Sequence, residues 1–173
     1  MNFMELAKAR YSCRKFTDQP VTEEQIQLIL EAAQCAPTAT NAQAYRIWVI
    51  KTPETIAKVN QATRNGYGAQ TMLLLGAKPD DAWTREDDGH NFADVDAGII
   101  GAHILFETHA LGLGTTWVGR VDPAKLAELF PETKDYTIVG LFPIGYPSRE
   151  AGGQPSKKHT TRKSLAEIAG ILE

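Results

Sequence analysis

Two short stretches carry the side chains best suited to chemistry. In Arg10-Tyr11-Ser12-Cys13-Arg14-Lys15-Phe16, the residues Arg10, Ser12 and Arg14 alternate. An extended backbone turns alternate residues to one side, so two guanidiniums and a hydroxyl would converge. That set suits a phosphate, whose oxygens match the guanidinium fork in charge and geometry. A solvated basic turn has the same composition. The second stretch is Ala36-Pro37-Thr38-Ala39-Thr40-Asn41-Ala42-Gln43-Ala44-Tyr45-Arg46. Asn41 and Gln43 also sit two apart, so in an extended segment both amides face one way. Paired amides offer donors and acceptors together, which suits the edge of a heterocycle bearing C=O and N–H groups. An ordinary helix–strand loop, with Thr and Asn bonded to their own backbone, accounts for the same residues.

Other chemistries find less support. Asp87, Asp88, His90, Asp94, Asp96, His103 and Glu107 cluster in sequence, but their spacing matches no metal-ligand motif. There is no G-x-S-x-G, and Cys13 and Cys35 have no evident His partner. Gly112-Leu113-Gly114 follows a helical pattern and opens a strand, the reverse of a Rossmann fingerprint, and lacks its third glycine. A phosphate cradle and an amide pair, without strong acids or nucleophiles, point to a cofactor as the carrier of the chemistry.

The elements that must position these residues are legible. Asn2-Phe3-Met4-Glu5 caps a short helix to about Ala9. Thr22-Glu23-Glu24-Gln25 is a capping box, and Ile26, Ile29, Leu30 and Ala33 recur at helical spacing, which predicts a helix over 23–35. Pro37 stops it. Tyr45 to Ile50 reads as a strand, Pro53 opens a helix to about Ala62, and Asn65 to Gly68 is a turn. Met72 to Leu75 is an apolar run, a buried strand. Lys78 to Asn91 is a long polar loop whose Trp83 either caps a pocket or covers core. Phe92 to Leu111 is the longest helical pattern, apolar on more than one face, and Gly112 ends it. Its Gly98, Gly101 and Ala102 would admit a closely packed helix, from a second subunit or from the same one.

A short strand over Thr115–Val118 and a turn at Gly119-Arg120 follow. Asp122-Pro123 caps a helix to about Phe130. Tyr136 to Tyr146 is a strand in which Pro143 argues for an edge or a bulge. Pro147 to Thr161 offers little core, and Ser164 to Glu167 caps a last helix. Lys157, Lys158, Arg162 and Lys163 in this tail either face water or meet a phosphate from afar.

Composition sets the bounds. With 173 residues and 43% hydrophobic content the chain suits a single domain with a sizeable core. A net charge of −3 gives no general attraction to nucleic acid or to an anionic membrane. No stretch reaches the ~18 apolar residues of a membrane span. The N-terminal segment has no signal-peptide pattern, and two cysteines without metal spacing read as reduced thiols of a cytoplasmic protein.

Taken together, these motifs resemble the nitroreductase family of FMN-dependent oxidoreductases over almost the whole chain. The resemblance rests on Arg10-x-Ser12-x-Arg14-x-Phe16, Ala36-Pro37-Thr38-x-x-Asn41-x-Gln43, Asp96, Gly112 to Gly119, Gly145-Tyr146-Pro147 and Arg162. It implies an α+β fold with a small mixed central sheet flanked by helices, in an intertwined homodimer with FMN between subunits. It implies one domain over 1–173, with 147–173 packing on the partner. By the same resemblance Arg10, Ser12, Arg14 and Arg162 hold the phosphate. Pro37, Thr38, Asn41 and Gln43 face the isoalloxazine, partly from the partner chain, and backbone at Trp117, Val118 and Gly119 lies beside its reactive edge.

The chain departs from the pattern at Tyr11, where many members carry a second Arg, and at Thr38 and Ala44-Tyr45. It also lacks long helical insertions, which implies an open substrate side with Tyr67, Trp83 and Arg120 as wall residues. The implied activity is ping-pong transfer of hydride from NADH or NADPH, through the flavin, to nitroaromatics, quinones or similar acceptors. A low-turnover FMN carrier or sensor, or a specialised chemistry such as reductive dehalogenation, are the other readings.

Overall fold

The computed structural model describes residues 2–172. Four strands form its centre: β1 (Tyr45–Ile50), β2 (Thr71–Ala77), β3 (Gly114–Thr115) and β4 (Thr137–Gly145). They pair antiparallel in the order β1-β2-β4-β3. The mixed character implied above is confined to one isolated parallel bridge, Ser12 to Thr115. All seven residues of β2 are buried, because helices cover both faces of the sheet. Alternation divides them: Leu73 and Leu75 enter one core with Ile29, Ala97, Ile100, Ile104 and Phe142. Met72 and Leu74 enter the other, with Ile50, Val59, Leu126 and Leu141. Each such side chain, fully buried, contributes roughly 1.5–3 kcal/mol.

The helices are α1 (Phe3–Ala9), α2 (Glu23–Gln34), α3 (Pro53–Ala62), α4 (Ala93–Ala110), α5 (Pro123–Leu129) and α6 (Leu165–Ile168). Capping boxes open α1, α2 and α6 where the sequence places them. α2 and α4 cover the first face of the sheet, and α3 and α5 the second. α4 buries Ala93, Ala97, Ile100, Ile104 and Thr108 along one stripe. Gly112, at φ 76°, closes that helix in the left-handed conformation.

Two sequence expectations change. Pro143 lies neither at an edge nor in the bulge, but inside β4, between β2 and β3. Leu141 exchanges both backbone hydrogen bonds with Val118, at 2.9 and 3.0 Å. Alternation then aims the nitrogen of Pro143 at Thr116, where a ladder N–H is missing. The strand expected over 115–118 accordingly breaks after Thr115 and resumes as a bridge at Val118. The register shift of the sheet falls instead between Leu75 and Gly76.

Gly101 does not receive a neighbouring helix. A Cβ on Gly101 or on Gly140 would overlap the Trp117 ring, so the two glycines form a slot for it. The indole Nε1 donates to Val139 O at 3.0 Å, and the ring meets Phe142 edge-on at 4.9 Å. Trp117 thereby locks α4 to β4, and its backbone leads directly to Gly119. Around Gly98 a Cβ would find open space.

Candidate active site

The basic stretch is held by the end of the sheet. Cys13 N donates to Thr115 O at 2.8 Å, and Phe16 bridges Pro147. The chain after β4 then runs back along it. Ser148 N donates to Lys15 O at 3.0 Å, and the Tyr11 hydroxyl donates to Gly153 O at 2.8 Å. Gly153 fits because a Cβ there would press on Lys15 O and Ser148 O. This pairing carries residues 156–162 across to the basic stretch.

The result is a cavity of about 310 Å³ lined by Arg10, Tyr11, Ser12, Arg14, Ser156, Lys158, His159 and Arg162. Four cationic side chains line it and no carboxylate does. Arg10 has its guanidinium pushed below the usual range by burial and then by the charge of Arg162. Arg162 is aimed by its Nη1, which donates to His159 O and to Thr161 O. An uncompensated cluster of this kind, with the Ser12 and Ser156 hydroxyls in its lining, fits a dianionic phosphate in charge and in donor type. Lys158 joins the set, and Lys163 does not line the cavity.

Of the two readings of the amide stretch, the structure follows the helix–strand loop and not the extended segment. Ala39–Asn41 forms a single 3₁₀ turn. Thr40, Asn41 and Gln43 all take left-handed backbone, at φ 52°, 57° and 51°. Such conformations cost non-glycine residues about 1 kcal/mol or more each. The loop holds them with its own bonds: Thr38 Oγ1 accepts from Gln43 N at 3.0 Å, and Asn41 N donates to Thr38 O at 2.9 Å. Asp96 supplies the outside anchor, its Oδ1 accepting from Ala39 N at 3.0 Å. Asp96 is only 4% exposed and its Oδ2 has no partner among the described residues. Asn41 and Gln43 themselves are exposed. Pro37, Thr38, Asn41 and Gln43 line neither the basic cavity nor the cleft described next.

That cleft, about 810 Å³, opens beside Gly119 and is lined by Asn60 to Asn65 and by Gly119 to Asp122. Its two walls are tied: Thr63 Oγ1 donates to Arg120 O at 2.7 Å, and Asp122 N donates to Ala62 O at 2.9 Å. Val118 is buried in the core, and Gly119 is exposed at the rim. Of the three expected wall residues only Arg120 lines this cleft. Tyr67, at φ 53°, packs against the second core, and Trp83 stacks edge-on against Phe92 at 4.9 Å, at the head of α4. Arg64 is an addition that sequence reasoning missed, a lone Arg ahead of a turn and without a pattern to mark it.

Among the described residues no group of His, Cys, Asp and Glu could hold a metal ion. No helix there is long and apolar enough to cross a membrane.

Comparison with known proteins gives a consistent result. The family model "Nitroreductase family" matches residues 7–67 and 62–146. A solved nitroreductase family protein from Clostridium difficile 630 superposes with a TM-score of 0.91 at 34% identity, over 100% of this chain and 99% of that one. A protein from Desulfovibrio desulfuricans, solved in complex with FMN, superposes with a TM-score of 0.79 at 27% identity, over 100% and 98% of the two chains. An FMN reductase [NAD(P)H] of Bacillus subtilis is 29% identical over 162 residues, 83% of this chain and 65% of the relative's length. With the arginine cavity, the anchored amide loop and the cleft at Gly119 already in place, the chain belongs to the nitroreductase family.

Proposed function

We propose that the protein is an FMN-dependent NAD(P)H oxidoreductase acting as a homodimer, with nitroaromatics, quinones or similar small molecules as acceptors. The observation that carries this reading is the cavity with four cations and no carboxylate. Flavin, when bound, would supply the redox chemistry, accepting hydride from a nicotinamide donor and passing electrons to an acceptor. Arg10, Ser12, Arg14 and Arg162 bind its phosphate, with Lys158 beside them. Backbone at Trp117, Val118 and Gly119 orients the ring, and the Trp117 slot keeps that backbone in place. Arg64 and Arg120 place positive charge in the cleft where negative charge grows on reduction. No side chain of this chain has to act as acid, base or nucleophile.

The homodimer follows from what one chain leaves undone. Pro37, Thr38, Asn41 and Gln43 are suited to the ring edge but lie outside both cavities of their own chain, so each subunit offers them to the other. Apolar surface supports the pairing. Phe3 is 65% exposed, and the end of the chain exposes Leu165, Ile168, Ile171 and Leu172, too much for a solitary subunit. Residues 147–162 pack on their own chain, and the stretch from Leu165 onward seats on the partner.

The test is the absorption spectrum of purified protein with its released cofactor identified, followed by anaerobic NADH or NADPH oxidation with menadione. Yellow dimeric protein that turns over is the expected outcome. Colourless, monomeric protein indifferent to added FMN overturns the proposal.

A further inference from the structure

The cleft at Gly119 is lined by two guanidiniums and one carboxylate. Arg64 and Arg120 both line it. Neither side chain makes an ion pair or a hydrogen bond among the described residues, while Lys51, Lys58, Lys78, Arg85 and Lys125 each have a carboxylate partner. The one carboxylate lining the cleft, Asp122, accepts at 3.0 Å from Lys125 N as the cap of α5. Other lining side chains, Asn60, Gln61 and Asn65, can all donate. Arg120 directly follows Gly119 at the rim, and its backbone is pinned, since Arg120 O accepts from Thr63 Oγ1.

We infer that Arg120 is a specificity-determining residue that selects reactants carrying an anionic group, a carboxylate, sulfonate or phosphate, at the end remote from the reacting centre. This rests on the flavoenzyme reading above. An exposed guanidinium offers a forked, charge-assisted contact to such a group, and a neutral reactant gains less from it. The anion can arrive on the acceptor or on the dinucleotide donor, and each has its own assay arm. The side chain positions substrate and transfers nothing.

The experiment compares charged with neutral probes in the flavin-loaded enzyme. Acceptors are naphthoquinone sulfonate and menadione, with NADH as donor. Donors are NADH and N-benzyl dihydronicotinamide, with menadione as acceptor. In Arg120→Gln the charged-to-neutral ratio of kcat/KM falls about tenfold in at least one pair, and Arg120→Lys recovers most of it. In the unmodified enzyme, raising ionic strength from about 0.01 M to about 0.1 M lowers the same ratio, which decides the matter if the variants fail to fold. Ratios that stay within about twofold in both pairs, or that ignore salt, overturn the assignment. Turnover with menadione alongside such flat ratios leaves the flavoenzyme reading standing, whereas absence of turnover with every pair removes both.

Discussion

The basic cradle is assembled within one chain, from two segments about 150 residues apart that hydrogen-bond to each other, whereas the amide loop faces away from its own chain's cavities. The cradle is held together against burial and repulsion of like charges, which in that order lower the Arg10 guanidinium. The loop is held together against backbone strain, visible in three left-handed residues within four positions. Each region stores an unfavourable term, but the terms differ in kind. Electrostatic tension responds to anions, salt and pH. Steric strain responds to side-chain shape and to the anchor at Asp96.

The cradle should give the largest effect. Replacing Arg14 and Arg162 together by Ala removes two charge-assisted contacts worth roughly 1.5–3 kcal/mol each. FMN affinity, followed by quenching of flavin fluorescence on binding, should weaken at least a hundredfold or so, with the single Arg14→Ala about tenfold. Flavin retention equal to the parent protein in Arg14→Ala would place the phosphate elsewhere.

Next comes the anchor of the loop. Asp96→Ala leaves the Ala39 N–H without its acceptor in a buried position, a loss of about 1–3 kcal/mol in stability. Asp96→Asn retains an acceptor oxygen for that N–H and should recover most of it. Thermal unfolding of the two variants checks this, and equal Tm values would show that the carboxylate charge near the start of α4 matters more than the bond. Flavin affinity should weaken less in Asp96→Ala than in the cradle variants.

How far these regions could be read from sequence differs for the same physical reasons. The alternation of Arg10, Ser12 and Arg14 is a local pattern, and the local backbone is extended, so the converging side chains were legible. For the basic tail the sequence left two readings, water or a distant phosphate, and only family resemblance singled out Arg162, because the return path depends on Tyr11 meeting Gly153 and Lys15 meeting Ser148. Asn41 and Gln43 obey the period-two rule only if the segment is extended; the alternative reading, a loop of Thr and Asn bonded to backbone, is the one the structure follows, with Thr38 and Asp96 holding a left-handed turn that Asn tolerates. Asp96 did leave a signal: with Ala93, Ala97, Ile100 and Ile104 it lies on the stripe of α4 that packs inward. A carboxylate on such a stripe calls for a partner. Pro143 was read as a mark of an edge, and the structure meets its missing N–H by interrupting the neighbouring strand instead.

A third test separates charge from strain. His109 is pushed below its ordinary range by burial, then by Arg10, then by His159. Its folded pKa therefore lies below the unfolded value of about 6.5. As pH falls through about 6.5 the unfolded chain takes up a proton that the folded chain resists, so stability declines and levels off below the folded pKa. In flavin-free protein, His109→Gln should flatten the fall of Tm between about pH 7.5 and pH 5.5. Asp96→Asn should leave that slope alone, because the loop's strain does not titrate with His109.

The smallest effect belongs to the strained turn itself. Thr40 is β-branched at φ 52°, and relieving it by Thr40→Gly removes a cost of about 1.5–2 kcal/mol. Two terms oppose the gain: the wider freedom of glycine in the unfolded chain, about 0.5–1 kcal/mol, and loss of the 2.7 Å bond from Thr40 Oγ1 to Ala39 O. Stability of Thr40→Gly should therefore stay within about 0.5 kcal/mol of the parent, while Thr40→Val keeps the branch, loses the bond and falls by about 1 kcal/mol. If both variants fall equally, the hydroxyl bond holds the turn and backbone strain contributes little. If only Thr40→Val falls, the loop is strained as its dihedrals indicate, and it holds its exposed amides on a stiff, preformed edge.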